Sequence, residues 1–205
     1  MSMTLLLVRP TQTTWNQENR FRGRANVPLD GVGFAQAEAT AQYIQSRWSP
    51  RAIYCSPLPR ARQTAEVISA RFTLHERAHP GFLDINFGAW EGLTEAEVAE
   101  RWKQALAAWY AEPHNAPIPG GEPLETVRLR TMGAMNEIMN RHTNDVVVIV
   151  GHAAVNRIIL LSAFNIGLER YWHFDQDLGA INILELKGRY FTLRMMNYTG
   201  HLEYR

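Results

Sequence analysis

This chain predicts an α/β fold, a three-layer α/β/α sandwich around a mostly parallel sheet of about six strands. Three observations predict it. Short apolar runs alternate with amphipathic helical stretches along the 205 residues. Two of the runs, 4–8 and 145–150, are nearly continuous in Leu and Val, as strands covered on both faces require. The chain closes on two strand patterns joined by a glycine turn.

The elements follow in order. Residues 4–8 form the first strand. Asp30 caps a helix over about 31–48, with Phe34, Ala37, Ala41 and Ile44 on its inner face. Residues 52–55 are the next strand, and Cys55, the single cysteine, packs there as a small hydrophobe. A helix over 57–71 carries its prolines at the start, where a missing N–H costs nothing. Residues 73–77 read as a third strand. Thr94-Glu95-Ala96-Glu97 is a capping box that opens a helix to about residue 110, with Val98, Trp102, Leu106 and Trp109 at helical spacing. The Pro/Gly-rich stretch 112–123 is a loop long enough for a functional role. A helix over 123–142, the strand 145–150, and a helix from Ala153 to near Gly167 follow. Strands 181–186 and 190–195 meet at Lys187-Gly188-Arg189. No repeat or linker divides the chain, so residues 1–205 are expected to form one domain.

Composition narrows the function. Net charge is +1, which gives no global field for nucleic acid. No apolar run reaches the ~18 residues of a membrane span. A secretory signal pattern is absent and cysteine is scarce, so the expected location is cytoplasmic. Charge is uneven, however. Residues 1–62 hold eight arginines (Arg9, Arg20, Arg22, Arg24, Arg47, Arg51, Arg60 and Arg62) against Glu18, Asp30 and Glu38. A basic N-terminal third suits a small anionic ligand.

Ligands of open α/β sheets sit beyond the C-terminal ends of the strands. Arg9 closes the first strand, Arg60 opens the helix after the second, and His152 closes the strand at 150. Two guanidinium forks and an imidazole at one point, with helix N-termini behind them, make a phosphate cradle. Elsewhere, His75 and His79 flank a strand end, so no metal site is expected. Gly31-x-Gly33 lacks the preceding strand of a dinucleotide fingerprint, and no cofactor is expected.

Several motifs together carry a family resemblance. Arg9, Trp15-Asn16, Arg20, Gly23 and Pro28-Leu29 match one motif, and Ser56-Pro57-Leu58-x-Arg60-Ala61-x-Gln63-Thr64-Ala65 closely matches a second. Leu83-Asp84-Ile85-Asn86-Phe87-Gly88-Ala89-Trp90-Glu91-Gly92, Pro119-Gly120-Gly121-Glu122, Gly151-His152-Ala153 and Gln176-Asp177-Leu178-Gly179-Ala180-Ile181-Asn182 continue the match. The chain thereby resembles the phosphoglycerate mutase-like branch of the histidine phosphatase superfamily, including its small α-ribazole phosphatase-like members.

The resemblance implies phosphate-monoester chemistry. Arg9, Arg60 and His152 would hold the phosphoryl group, and Asp84 would stand for the general acid, where the family usually has Glu. Asn16, Arg22, Gly23, Gly121 and Glu122 would meet the substrate, Arg22 replacing a common Gln. A specificity insertion would cover about 94–123. The implied partner is a phosphorylated small molecule or inorganic phosphate; a homodimer is left open.

One departure dominates. The family carries its nucleophilic histidine after the first arginine, where this chain has Pro10, whose ring is inert and whose backbone has no N–H. Thr11 replaces the expected Gly or Ala and brings β-branched bulk toward the anion site. Three readings stand: a pseudophosphatase that binds without turnover, an enzyme using water or another nucleophile, and an introduced knockout. Two adjacent departures favour natural divergence over a knockout.

Overall fold

In a computed structural model that describes residues 2–202, one six-stranded sheet organises the chain. The strands are β1 (Ser2–Val8), β2 (Ala52–Cys55), β3 (Glu76–Ala78), β4 (Val146–Val150), β5 (Ile181–Lys187) and β6 (Tyr190–Tyr198). The helices are α1 (Thr14–Gln17), α2 (Gly31–Gln45), α3 (Pro59–Ala70), α4 (Glu95–Ala111), α5 (Leu124–Arg141) and α6 (Ala153–Ala163). Strand order is β3-β2-β4-β1-β5-β6. The first four run parallel, and β5 is antiparallel to both β1 and β6.

Alternation along the strands builds two cores. Leu5, Leu7, Tyr54, Val147 and Ile149 face Met135, Ile138, Val155 and Ile159 of α5 and α6. Leu6, Val8, Ile53, Val148 and Val150 face Ala41, Ile44, Ala61, Ala65 and Ile68 of α2 and α3. Helices therefore cover both faces, the expected three layers. A third cluster, with Trp90, Val98, Trp109, Val127, Ile158 and Tyr171, packs α4 and its flanking turns over α5 and α6.

The structure corrects several boundaries. α2 ends at Gln45 rather than 48, and Phe34 lies exposed while Ala37, Ala41 and Ile44 are buried. With Asp30 as cap, accepting from Gly33 N at 2.7 Å, the helix turns the small residues inward so that α3 can approach closely. β3 starts at Glu76, because Thr73 takes a left-handed φ of 54° that cannot join a ladder. Trp102, expected on a regular inner face, sits at a kink in α4 with φ −138°. α6 stops at Ala163 rather than near Gly167 because Asn165 turns left-handed with φ 53°; a 3₁₀ segment, Leu168–His173, follows. Cys55 is fully buried and its thiol is pushed up to about 12, chiefly by burial, which makes it inert packing. Among the described residues no helix is long and apolar enough to cross a membrane.

Candidate active site

The parallel strands deliver their C-terminal ends to one cleft. Its inner chamber is lined by Arg9, Pro10, Thr11, Asn16, Arg22, Arg60, Asp84, His152, Ala153 and Leu178. Arg9 follows β1, Arg60 sits in the first turn of α3, and His152 caps α6 in extended conformation, φ −137°. β1 and β4 are hydrogen-bonded neighbours, Val8 opposite Val150, so Arg9 and His152 must emerge side by side. The chamber's free volume is only about 10 Å³, room for roughly one water. It opens into a vestibule of about 200 Å³ walled by Phe21, Phe87, Trp109, Tyr110, Tyr171 and Trp172.

Asp84 and Arg60 form the floor. The Asp84 Oδ2 accepts from Arg60 Nη2 at 3.0 Å and lies 3.5 Å from His152 Nδ1; Oδ1 accepts from the Ile85 amide at 3.0 Å. Arg60 also donates to the carbonyls of Gly23 at 2.7 Å and Ala25 at 3.0 Å. Gly23 has φ 49°, and a Cβ there would lie 2.1 Å from Glu91 Oε1, so only glycine brings this carbonyl onto the arginine. Arg9 donates to the Gln176 carbonyl. Gln176 is fixed by paired amide bonds with Asn182 at 2.9 and 2.8 Å, and Asn182 reaches back to Leu7 O.

Electrostatics favour an anion. Burial lowers Arg9 (to about 9), Arg22 and Arg60; repulsion from Arg22 and Arg157 adds at Arg9, and from Arg60 at Arg22. All stay cationic at neutral pH. Burial opposes ionisation of Asp84, but a protonated His152, Arg60, Arg22 and the Ile85 amide hold its carboxyl below the usual range; once the imidazole is neutral, Arg60, Arg22 and the amide carry that effect. Burial, aided by Arg60, Arg22 and Arg9 and opposed by Asp84, brings His152 down to about 3. At neutral pH the imidazole is therefore neutral, and arginines alone supply the positive charge around Asp84. The His152 Nε2 is enclosed without a hydrogen-bond partner among the described residues.

The shift at His152 has a consequence for stability. Below its ordinary 6.5 the unfolded chain binds a proton that the folded site refuses until about pH 3. Stability should therefore fall as pH drops from 6.5 toward 3. Asp84, whose folded value is also depressed, loses its own contribution at the acid end. Urea titrations across this range should show a shallower slope for His152→Asn than for the unaltered chain. Identical slopes would mean that the imidazole is not held neutral. His201, lowered to about 4 by burial, leaves a residual slope in the variant.

Other expected residues fall differently. The Asn16 Oδ1 caps α1, accepting from Thr13 N at 2.9 Å and Thr13 Oγ1 at 2.8 Å, so its amide can offer the chamber only donors. Thr11 borders the chamber, yet its hydroxyl donates to Gly33 O at 2.7 Å and its methyl packs against Gly179; the expectation of bulk aimed at the anion is corrected.

Gly121 and Glu122 line neither the chamber nor the vestibule, contrary to expectation. Glu122 instead accepts from Arg130 Nε at 2.8 Å and Nη2 at 3.0 Å, while Arg130 clamps the carbonyls of Gly81, Leu83 and Asp84. The carboxylate thus holds the Asp84 loop from behind. Of the arginines at 20, 22 and 24, Arg20 is tied to Glu18, Glu97 and Gly92 O, and Arg24 to Glu122; Arg22 alone of the three has no carboxylate partner among the described residues. His79, set aside as a ligand, caps a 3₁₀ turn by accepting from Gly81 N at 3.0 Å.

Sequence reasoning assigned no role to Arg130, Arg157, Gln176 or Asn182. The legible signal for Asn182 was a lone amide in an otherwise apolar strand, Ile-Asn-Ile-Leu.

The profile of the histidine phosphatase superfamily (branch 1) matches residues 5–199. The chain belongs to the histidine phosphatase superfamily. Phosphoserine phosphatase 1 of Hydrogenobacter thermophilus is 31% identical over 198 residues, covering 97% of this chain and 93% of that one. Among solved structures, this superfamily member superposes on Bacillus stearothermophilus YhfR with a TM-score of 0.93 at 27% identity, covering 98% and 100% of the two chains. It also superposes on an Entamoeba histolytica phosphoserine phosphatase at 25% identity and a TM-score of 0.86, covering 98% and 99%. That phosphatase is a histidine-to-alanine mutant in complex with phosphoserine.

Proposed function

We propose that this chain binds phosphate monoesters between Arg9, Arg60 and His152, and that Pro10 at the nucleophile position has removed or strongly reduced their hydrolysis. The observation that carries the reading is a chamber with three arginines around one ionised carboxylate and an inert pyrrolidine where an attacking imidazole would stand. The phosphoryl group would take its bidentate contacts from the two arginine forks and further N–H groups from the start of α6. Asp84 would face the leaving oxygen. It is ionised in the open chamber, and the negative charge of a bound phosphoryl group would raise its pKa, so a proton would enter with the ligand. Because the chamber is tight, binding would also require the half-buried Arg9 and Arg22 to move outward. The phosphoserine-bound relative lacking a histidine supports binding without turnover.

One observation favours residual hydrolysis as a second reading. The neutral His152 keeps an unpartnered Nε2 inside the chamber, which could accept a proton from an attacking water. That route would retain positioning and electrostatic help without a covalent intermediate. The working assignment remains a single cytoplasmic domain over residues 1–205, with residues 94–123 as its specificity insertion.

Titration calorimetry with inorganic phosphate and vanadate tests the binding site, and p-nitrophenyl phosphate tests turnover. Binding with proton uptake and no turnover is expected. No anion binding at any pH between 6 and 8 would sink the proposal; turnover abolished by His152→Asn would shift it to the second reading.

A further inference from the structure

Counter-charges around the cleft are distributed unevenly. Most arginines near it are spoken for by carboxylates: Arg20 by Glu18 and Glu97, Arg24 and Arg130 by Glu122, Arg60 by Asp84. Among the described residues, Arg9, Arg22 and Arg157 have no carboxylate partner, and all three line the vestibule. Arg9 and Arg60 suffice for one phosphoryl group. Arg22 and Arg157 are then surplus cations, placed where the rest of the ligand must lie.

Arg157 is built into place. It stands on α6 just over one turn beyond His152, and its Nε donates to the Phe174 carbonyl at 2.7 Å. Its guanidinium lies 5.0 Å from the Tyr171 ring centre and 4.8 Å from that of Trp172. One N–H meets the Tyr171 hydroxyl. Held by its Nε and by two rings, the group has little rotamer freedom left to lose on meeting a ligand. Among the described residues, Asp84 is the only carboxylate of the vestibule wall, and it is engaged by Arg60 and His152. The next carboxylates, Glu95 and Asp177, stand outside the vestibule at its outer mouth. Within the vestibule an ammonium would meet Arg157 and Arg22 rather than an unengaged carboxylate.

We infer that Arg157, with Arg22, forms a second anion subsite, so that the favoured ligands are phosphate monoesters whose leaving group bears a carboxylate and no amine. This rests on the phosphate reading of the chamber. The aromatic wall would cover the carbon skeleton between the two anions, and exclusion of water there would strengthen both contacts.

Three near-isosteric probes separate the possibilities: 3-phosphoglycerate, glycerol 3-phosphate and O-phosphoserine, each titrated beside inorganic phosphate. The unaltered chain should bind 3-phosphoglycerate at least tenfold more tightly than glycerol 3-phosphate, and O-phosphoserine more weakly than 3-phosphoglycerate. Arg157→Gln should bring the first ratio below about threefold, with circular dichroism confirming the fold. If inorganic phosphate does not bind the unaltered chain, the phosphate reading itself fails. If phosphate binds but the first ratio is near one, or survives in Arg157→Gln, the second subsite is overturned alone. O-phosphoserine binding as tightly as 3-phosphoglycerate overturns the exclusion of an amine. Should Arg157→Gln not fold, the ratio in the unaltered chain and in Arg22→Gln still decides.

Discussion

Pro10→His is expected to raise p-nitrophenyl phosphate hydrolysis by roughly three orders of magnitude, about 4 kcal/mol of activation free energy. The surrounding groups are in place. Arg9, Arg60, His152 and Asp84 line one chamber, with Asp84 Oδ2 3.0 Å from Arg60 Nη2. What is missing is a lone pair that can attack phosphorus. Position 10 already has a backbone that histidine can adopt, since proline's φ lies in a region open to every residue. Thr11 should stay, because its hydroxyl is turned to the Gly33 carbonyl at 2.7 Å and its methyl packs against Gly179, away from the anion site. Acid-labile, base-stable phosphate on the new histidine would report the covalent step. In this background Asp84→Asn should reduce hydrolysis of alkyl phosphates far more than of p-nitrophenyl phosphate, whose leaving group needs little protonation. A folded Pro10→His variant with neither phosphohistidine nor turnover would mean that the chamber cannot admit a phosphoryl group.

Arg60→Ala is expected to abolish anion binding and to lower folding stability by roughly 3–5 kcal/mol at pH 7. The residue is 2% exposed and ties its own helix to two other segments, at Gly23 and Ala25 and at Asp84. Truncation leaves a buried carboxylate without its closest cation. Burial then dominates at Asp84, whose folded pKa should rise above its unfolded value. A raised carboxyl costs stability increasingly as pH climbs past about 4, so the deficit should be larger at pH 7 than at pH 4.5. Urea denaturation at both pH values measures this. A deficit under 1 kcal/mol at pH 7, or one that does not change with pH, would show that Arg60 is not the keystone of the floor.

Much of this site was legible before any coordinates. That Arg9, Arg60 and His152 come together could be read because strand ends and helix starts are locally encoded. Pro10 stood out because its chemistry is incompatible with attack on phosphorus in any fold. Glu122 was misread: its motif neighbours suggested a substrate loop, but which groups a carboxylate meets depends on a helix that comes after it. The same reason hid Arg157. On α6 it reads as one polar position in an apolar helix, and nothing local says that two rings of a later 3₁₀ segment will hold it.

By itself the sequence determined the kinds and order of the elements, the two-faced burial of the sheet, and the gathering of Arg9, Arg60 and His152 at its C-terminal edge. Periodicity and residue chemistry suffice for those. The tertiary structure alone decided which arginines remain open. Arg20 and Arg22 are two residues apart and indistinguishable by composition, yet one is neutralised and the other faces the cleft. Arg24 finds Glu122 across 98 residues of chain. It also decided that His152 is neutral, since desolvation depends on everything packed around the ring. Charge pairing and burial are properties of three-dimensional neighbourhoods, and no local pattern in the chain encodes them.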